Sequence, residues 1–261
     1  MVDCGPRGCA ASVVSPEAWM ALGRADLEPT TLWDFPDQGS SRVRFGDPSF
    51  NGVTPADAAA NLVRRYSNVG DLVVDPMAGS GTVEDVARSL GRRVASFDLV
   101  PRRREVARAD ARALPLQDQV ATLVIVDSPY SNNIEYSREP GCLGRLSCQD
   151  ERFYIEMGRV AREASRVLVP SGVLAWIVSD EYRGGLYTPV GFRLFHLLLA
   201  SFRAVDTCVL ARHHDRSGSP LWEHRARRFN FFLRGFKFLL IMRKRSFGRR
   251  DGHAERSGSD E

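Results

Sequence analysis

Short apolar runs alternate along the chain with segments whose apolar residues recur every three or four positions. The runs are Leu72 to Val74, Val94 to Asp98, Thr122 to Val126, Val173 to Val178, Val205 to Leu210 and Lys237 to Met242. Ser96, Asp206 and Thr207 aside, the runs are apolar between their ends, the pattern of strands covered on both faces. Thr82 to Leu90 reads as a helix stopped by Gly91. Phe153, Met157, Val160, Ala164 and Val167 recur at helical spacing, with Pro170 and Gly172 closing that helix. Thr188 and Pro189 read as an N-cap and a first helical position, opening a helix to about Ala200. Val106 to Ala109 is a further short candidate strand. Together these predict an α/β fold, a mostly parallel twisted sheet with helices on both faces. Residues 1–28 and 246–261 show no such periodicity and read as flexible ends of one domain spanning 29–245.

Composition narrows the class. The chain has 261 residues, 43% hydrophobic and 26% charged, enough to bury one large core. The apolar runs are far shorter than a bilayer requires, so no membrane partner is expected. No basic patch followed by an apolar run opens the chain, and its five cysteines are an odd number, which together point to a reducing cytoplasm. Cys4, Cys9, Cys142 and Cys148 are too loosely spaced for a metal site, and none is expected. Charge is unevenly spread. Residues 201–250 carry 13 basic and 3 acidic side chains, whereas residues 1–200 carry 22 basic and 25 acidic. The basic third suits a polyanion such as nucleic acid, or equally a solvated basic face.

In open parallel sheets, ligands bind at the carboxyl ends of the strands. Asp75, Asp98, Asp127 and Asp180 each follow a predicted strand. Asp75-Pro76-Met77-Ala78-Gly79-Ser80-Gly81-Thr82 joins the first to a helix. Its glycines permit close backbone approach, and the helix start presents amides to an anionic ligand group. The segment is no phosphate-binding P-loop, which needs lysine where Thr82 stands, nor a three-glycine dinucleotide fingerprint, because position 84 is glutamate. A tight strand-to-helix turn would use the same residues. Asp98, 23 residues beyond Asp75, could accept the two ribose hydroxyls of a nucleoside. Asp110 and Ala111 could contact a purine edge, or form an ordinary loop. Asp127-Ser128-Pro129-Tyr130 combines an acceptor for an amino group, a stiffened loop and a flat face for a planar base, and is equally good turn chemistry.

Asp75 to Thr82 resembles the glycine-rich signature of S-adenosyl-L-methionine-dependent, amino-directed DNA methyltransferases, and Asp127 to Tyr130 resembles their catalytic motif. Further similarity lies in Asn61 to Asp75, Tyr154 to Gly172 and Arg225 to Lys244, so that the resemblance spans roughly residues 30–245. It implies the class I methyltransferase form of a Rossmann-like fold. It also implies S-adenosyl-L-methionine as cofactor and a flipped adenine or cytosine in DNA as substrate. Catalysis falls to Asp127, Ser128, Pro129 and Tyr130. Cofactor binding falls to Asp75, Pro76, Met77, Ala78, Gly79, Ser80, Gly81, Thr82, Asp98, Asp110 and Ala111, with Thr54 closing over the methionine end. Arg212, Arg216, Arg225, Arg227 and Arg228 are expected to contact DNA phosphates, and Phe229, Phe231, Phe236 and Phe238 to pack in the core. Trp33 and Phe35 read as core residues too. Ser128 replaces the family's usual proline, which implies a less rigid loop. Only 28 residues separate Asp98 from Asp127, so one helix of the fold is short or missing, and no large insertion follows Tyr130. The nearest alternatives are an RNA base methyltransferase and an inactive nucleic-acid-binding protein on the same fold. A restriction-modification setting, with its nuclease partner, stays open.

Overall fold

The structure is a computed structural model that describes residues 27–35, 45–47, 49–50, 52–213 and 219–245. Most of the two expected flexible ends, 1–26 and 246–261, lies outside these residues.

Ten strands and five α-helices are present among the described residues. In chain order they are β1 (Leu32–Trp33), α1 (Ala56–Tyr66), β2 (Leu72–Asp75), α2 (Thr82–Ser89), β3 (Arg93–Asp98), β4 (Ala107–Arg108) and β5 (Ala121–Asp127). Then follow α3 (Glu151–Val167), β6 (Leu168–Val178), β7 (Glu181–Arg183), β8 (Leu186–Thr188), α4 (Val190–Leu198), β9 (Phe202–Ala211), α5 (Pro220–Phe229) and β10 (Phe236–Lys244). Eight strands form one sheet in the order β1-β9-β10-β6-β5-β2-β3-β4, and β7 and β8 form a separate hairpin. Pairing is parallel except along β10, which runs antiparallel to both β9 and β6.

Strand residues alternate between two cores. Val73, Leu123, Ile125, Val173, Ala175, Ile177, Leu239 and Ile241 pack with α1 and α2 on one face. Val74, Val124, Val126, Leu174, Trp176, Val178, Leu240 and Met242 pack with α3 and α4 on the other. Both faces are buried, which is why these strands read as unbroken apolar runs. Trp33 is buried in the first core, with Phe35 packed against it.

Three local expectations need correction. Pro170 and Gly172 do not stop a helix. The helix α3 ends at Val167, β6 begins at the next residue, and the turn residues fall in an irregularity where pairing jumps from Ala121–Leu168 to Leu123–Val173. Ser171 takes a positive φ of 61° there. Second, Thr188 closes β8 and Pro189 is itself the cap of α4, so that helix starts one residue later than expected. Third, the candidate strand at 106–109 is the two-residue β4. No helix lies between β3 and β5, in keeping with the short spacing there.

Among the described residues no helix is long and apolar enough to cross a membrane.

Candidate active site

Three parallel strands end in aspartate at one edge of the sheet: β2 at Asp75, β3 at Asp98 and β5 at Asp127. The antiparallel β10 begins at that same edge, which brings Lys237 there as well. Between them opens a cleft. Pro76, Met77, Ala78, Gly79, Ser80, Asp98, Asp110, Ala111, Thr54, Asp127, Pro129 and Tyr130 all line it. Asp75, Gly81, Thr82 and Ser128 do not reach its surface, and each has another part in the architecture.

Asp75 is buried beneath the glycine loop, where it accepts the Met77 amide at 3.1 Å. Burial pushes its carboxyl well above the ordinary range, and the neighbouring Asp98, Asp127 and Glu84 charges push the same way. Gly81 caps α2 in the left-handed region, at φ 79°, which favours glycine. Thr82, the first residue of that helix, shares a hydrogen bond with Ser80 at 3.0 Å. Gly79 is forced by packing as well as by its φ of 46°: a Cβ there would sit 2.8 Å from the Phe50 ring. The Phe50 ring stacks on Tyr136, 6.0 Å between centroids, and both rings wall the cleft.

Asp98 accepts the Gly79 amide at 3.0 Å on one oxygen and the Val100 amide at 2.9 Å on the other. Each oxygen keeps a lone pair for a ligand hydroxyl. Asp110 is differently placed. Its carboxylate receives the Arg112 Nε at 2.8 Å, Nη2 at 2.5 Å and main-chain amide at 2.9 Å. Burial raises its pKa, but the Arg112 hydrogen bonds and charge outweigh that and hold it below the ordinary value. Arg112 also reaches Glu156 at 2.6 Å, so Asp110 is one corner of an ion network fixing the cleft wall.

Asp127 is held from two sides. Thr54 Oγ1 donates to its Oδ2 at 2.8 Å, and Lys237 Nζ lies 3.2 Å from Oδ2 and 3.4 Å from Oδ1. Thr54 therefore touches the Asp127 carboxylate. Lys237, only 8% exposed, was hidden from the sequence reading inside an apolar strand run. Its one sequence signal is that it is one of just two lysines in the chain, and the one set among apolar residues. Ser128 is not a loose substitute for proline: its hydroxyl accepts the Trp176 indole N–H at 2.9 Å, tying the loop to β6. Tyr136 also escaped the sequence reading, and burial raises its phenol far above the ordinary value.

The basic residues fall into separate groups. Arg225, Arg227 and Arg228 are exposed on α5, a helix with no buried residue. At about 100° per residue, Arg225 and Arg228 share a face. Arg227 points elsewhere and pairs with Glu223 at 3.2 Å. Arg212 follows β9 directly, and Arg216 lies outside the described residues. Of the four phenylalanines expected in the core, Phe238 packs against it and the others do not. Phe229 is 65% exposed on α5, Phe236 is exposed at the start of β10, Phe231 lies in the loop between them and Phe238 is half-buried. Asp180, after β6, accepts Tyr187 Oη at 2.6 Å and the Gly191 amide at 2.8 Å, so it braces the hairpin and α4.

Residues 15–109 match the family model described as DNA methylase, a stretch that holds the glycine loop and Asp98 and stops short of Asp127 to Tyr130. No curated protein sequence matches the chain. The structure is similar to TrmN from Thermus thermophilus, with a TM-score of 0.50 and 19% identity over 74% of this chain and 50% of that one. It is also similar to TTHA0409, likewise from Thermus thermophilus, described as a proposed DNA modification methylase and solved in complex with S-adenosyl-L-methionine. There the TM-score is 0.38 and the identity 25%, over 56% of this chain and 57% of that one. A Burkholderia thailandensis 1,6-didemethyltoxoflavin-N1-methyltransferase gives a TM-score of 0.46 at 18% identity, over 72% of this chain and 77% of that one. The chain thus spans half the length of TrmN. It has the Rossmann-like α/β fold of the class I methyltransferases, and within it residues 15–109 match the DNA methylase model.

Proposed function

We propose that the chain is a DNA methyltransferase acting on an exocyclic amine, adenine N6 or cytosine N4, of a base turned out of the duplex. The observation that carries this reading is the placement of Asp127. Its carboxylate shares one cleft with Tyr130, the glycine loop and Asp98, and is held by Thr54 and Lys237.

The cleft fits S-adenosyl-L-methionine. Asp98 retains acceptor capacity for ribose hydroxyls, and the wall at Gly79 leaves no room for a side chain. Ala111, with Asp110 fixed by Arg112, would border the adenine, and the loop from Pro76 to Ser80 the remainder of the cofactor. When bound, the cofactor supplies an electrophilic methyl group. Every other task belongs to this chain. An exocyclic amine is a poor nucleophile because its lone pair is conjugated into the ring. Asp127 Oδ2 already takes Thr54 and the nearer Lys237 contact, whereas Oδ1 has only the 3.4 Å contact and is free to accept an amine N–H. A main-chain carbonyl such as that of Ser128 would take the second hydrogen. Held by two acceptors, the amine nitrogen can turn its lone pair out of the ring plane, and Asp127 balances the positive charge that develops there before a proton leaves. Tyr130 offers the stacking face for the extruded base. The Trp176 bond to Ser128 keeps the loop from sagging away from it.

The test is a purified chain incubated with methyl-labelled cofactor and unmethylated genomic DNA. Labelled N6-methyladenine or N4-methylcytosine is the expected product, and label found only in RNA or protein overturns the DNA assignment. Asp127→Ala should abolish turnover while cofactor affinity stays near normal, because the acceptor acts chiefly in the transition state. Asp98→Ala should weaken cofactor binding instead.

A further inference from the structure

A second cleft opens beside the first, and Tyr130 lines both. Its walls come from the β7–β8 hairpin, α5 and the loop that follows α5. Tyr182 and Phe231 stack face to face across these elements, 5.8 Å between centroids and 11° between planes. Phe232, 83% exposed, projects from the next position. Arg183 and Arg234 stand among the rings. Uncovered aromatic faces interleaved with guanidinium groups form a stacking and phosphate-binding surface.

Two buried polar atoms in this cleft point the same way. Glu181 Oε1 and Arg234 Nε have no hydrogen-bond partner among the described residues, although Glu181 is only 5% exposed. Buried acceptors and donors are nearly always paired in folded proteins, so each of these atoms needs a partner that the described residues do not supply. Both are closed off from solvent here, so the edge of a nucleobase, which carries a donor and an acceptor, reaches them as the two side chains turn toward the cleft.

We propose that this cleft holds unpaired nucleotides of the substrate strand that flank the target base. The proposal rests on the reading of Tyr130 as the platform for that base. An intact duplex keeps its base faces stacked on one another, so only an opened strand can use the Tyr182–Phe231 pair. The preference is for single-strandedness rather than for a particular sequence, because every base has a face to stack.

The experiment is fluorescence anisotropy on the full chain, with a fluorescein-labelled single-stranded DNA oligonucleotide and a blunt duplex of the same sequence. Phe232→Ala, at a position too exposed to disturb folding, and Phe231→Ala should each weaken single-strand binding about 10-fold. Duplex affinity and calorimetric affinity for S-adenosyl-L-methionine should be unchanged. Unaltered single-strand binding, or equal losses on single strand and duplex, overturns the cleft assignment. Failure of the unmodified chain to bind the cofactor overturns the proposed methyl transfer instead. An RNA oligonucleotide bound more tightly than its DNA counterpart would support the strand-binding cleft and move the target from DNA to RNA.

Discussion

Lys237→Met removes one ammonium from the candidate active site and leaves most of the side-chain volume in place. The structure sets the size of the effect. Lys237 Nζ lies 3.2 Å from Asp127 Oδ2, with side-chain exposures of 11% and 15%. At that distance and an effective dielectric constant near 20, the attraction is about 5 kcal/mol, an upper bound before desolvation. Removing one partner of a largely buried pair leaves the other charge uncompensated, and costs about 3 kcal/mol here. The lower end of the usual range applies because Thr54 keeps its bond to Oδ2 and the Lys237 contacts are longer than optimal charged hydrogen bonds. Asp127→Asn should cost about as much, by stranding Lys237. The double variant, with both charges gone, should lose only about 2 kcal/mol, so the two sites couple by about 4 kcal/mol. Urea unfolding of all four proteins measures each difference, and thermal unfolding should fall by roughly 6 °C in each single variant. Additive losses, or a Lys237→Met protein as stable as the parent, would refute the claim that this pair holds the carboxylate in place.

Ser128→Ala strands the buried Trp176 indole N–H and should cost about 2 kcal/mol, with kcat falling while cofactor affinity holds; unchanged stability and rate would sink the anchoring role. Arg112→Met should destabilise the chain most at neutral pH. Asp110 has a lowered pKa when folded, so its contribution is complete above the unfolded value of 3.8 and is lost as pH falls through the folded one. The stability gap between parent and variant should therefore narrow as pH falls from neutral through 3.8 and below. A gap that stays constant across that range would show that Arg112 acts by packing alone. Arg225→Ala with Arg228→Ala should flatten the log–log salt dependence of DNA binding by about two units and weaken all sequences alike. An unchanged slope would make that face of α5 merely solvated.

The central strands were legible because burial on both faces leaves no polar residue to interrupt them, and three aspartates at their ends marked the site edge. Residues whose roles depend on tertiary crossing were not legible. Lys237 reads as an interruption of an apolar run until an antiparallel strand sets it beside a carboxylate 110 positions away. The α1 segment builds its buried face around three small alanines, and α5 has no buried residue, so neither stood out as a stripe of large apolar residues. Pro170 and Gly172 are strong punctuation in isolation, yet here they mark a defect within a strand, because pairing with β5 resumes on the far side. Phe231 looked like core material because hydrophobicity alone does not distinguish a buried ring from one kept open beside a cleft.

The interior position of β10 has a consequence for how the protein comes into being. This strand is the last of the described elements to leave the ribosome, yet it fills the gap between β9 and β6 and pairs with residues some sixty positions earlier. Until it arrives, two long strand edges stand open, each a template for another chain. A nascent or truncated polypeptide lacking it is therefore prone to aggregate and slow to complete its sheet. The same event delivers Lys237 to Asp127. The candidate active site thus closes in the step that completes the sheet, and an incompletely synthesised chain has no means of presenting it half-made.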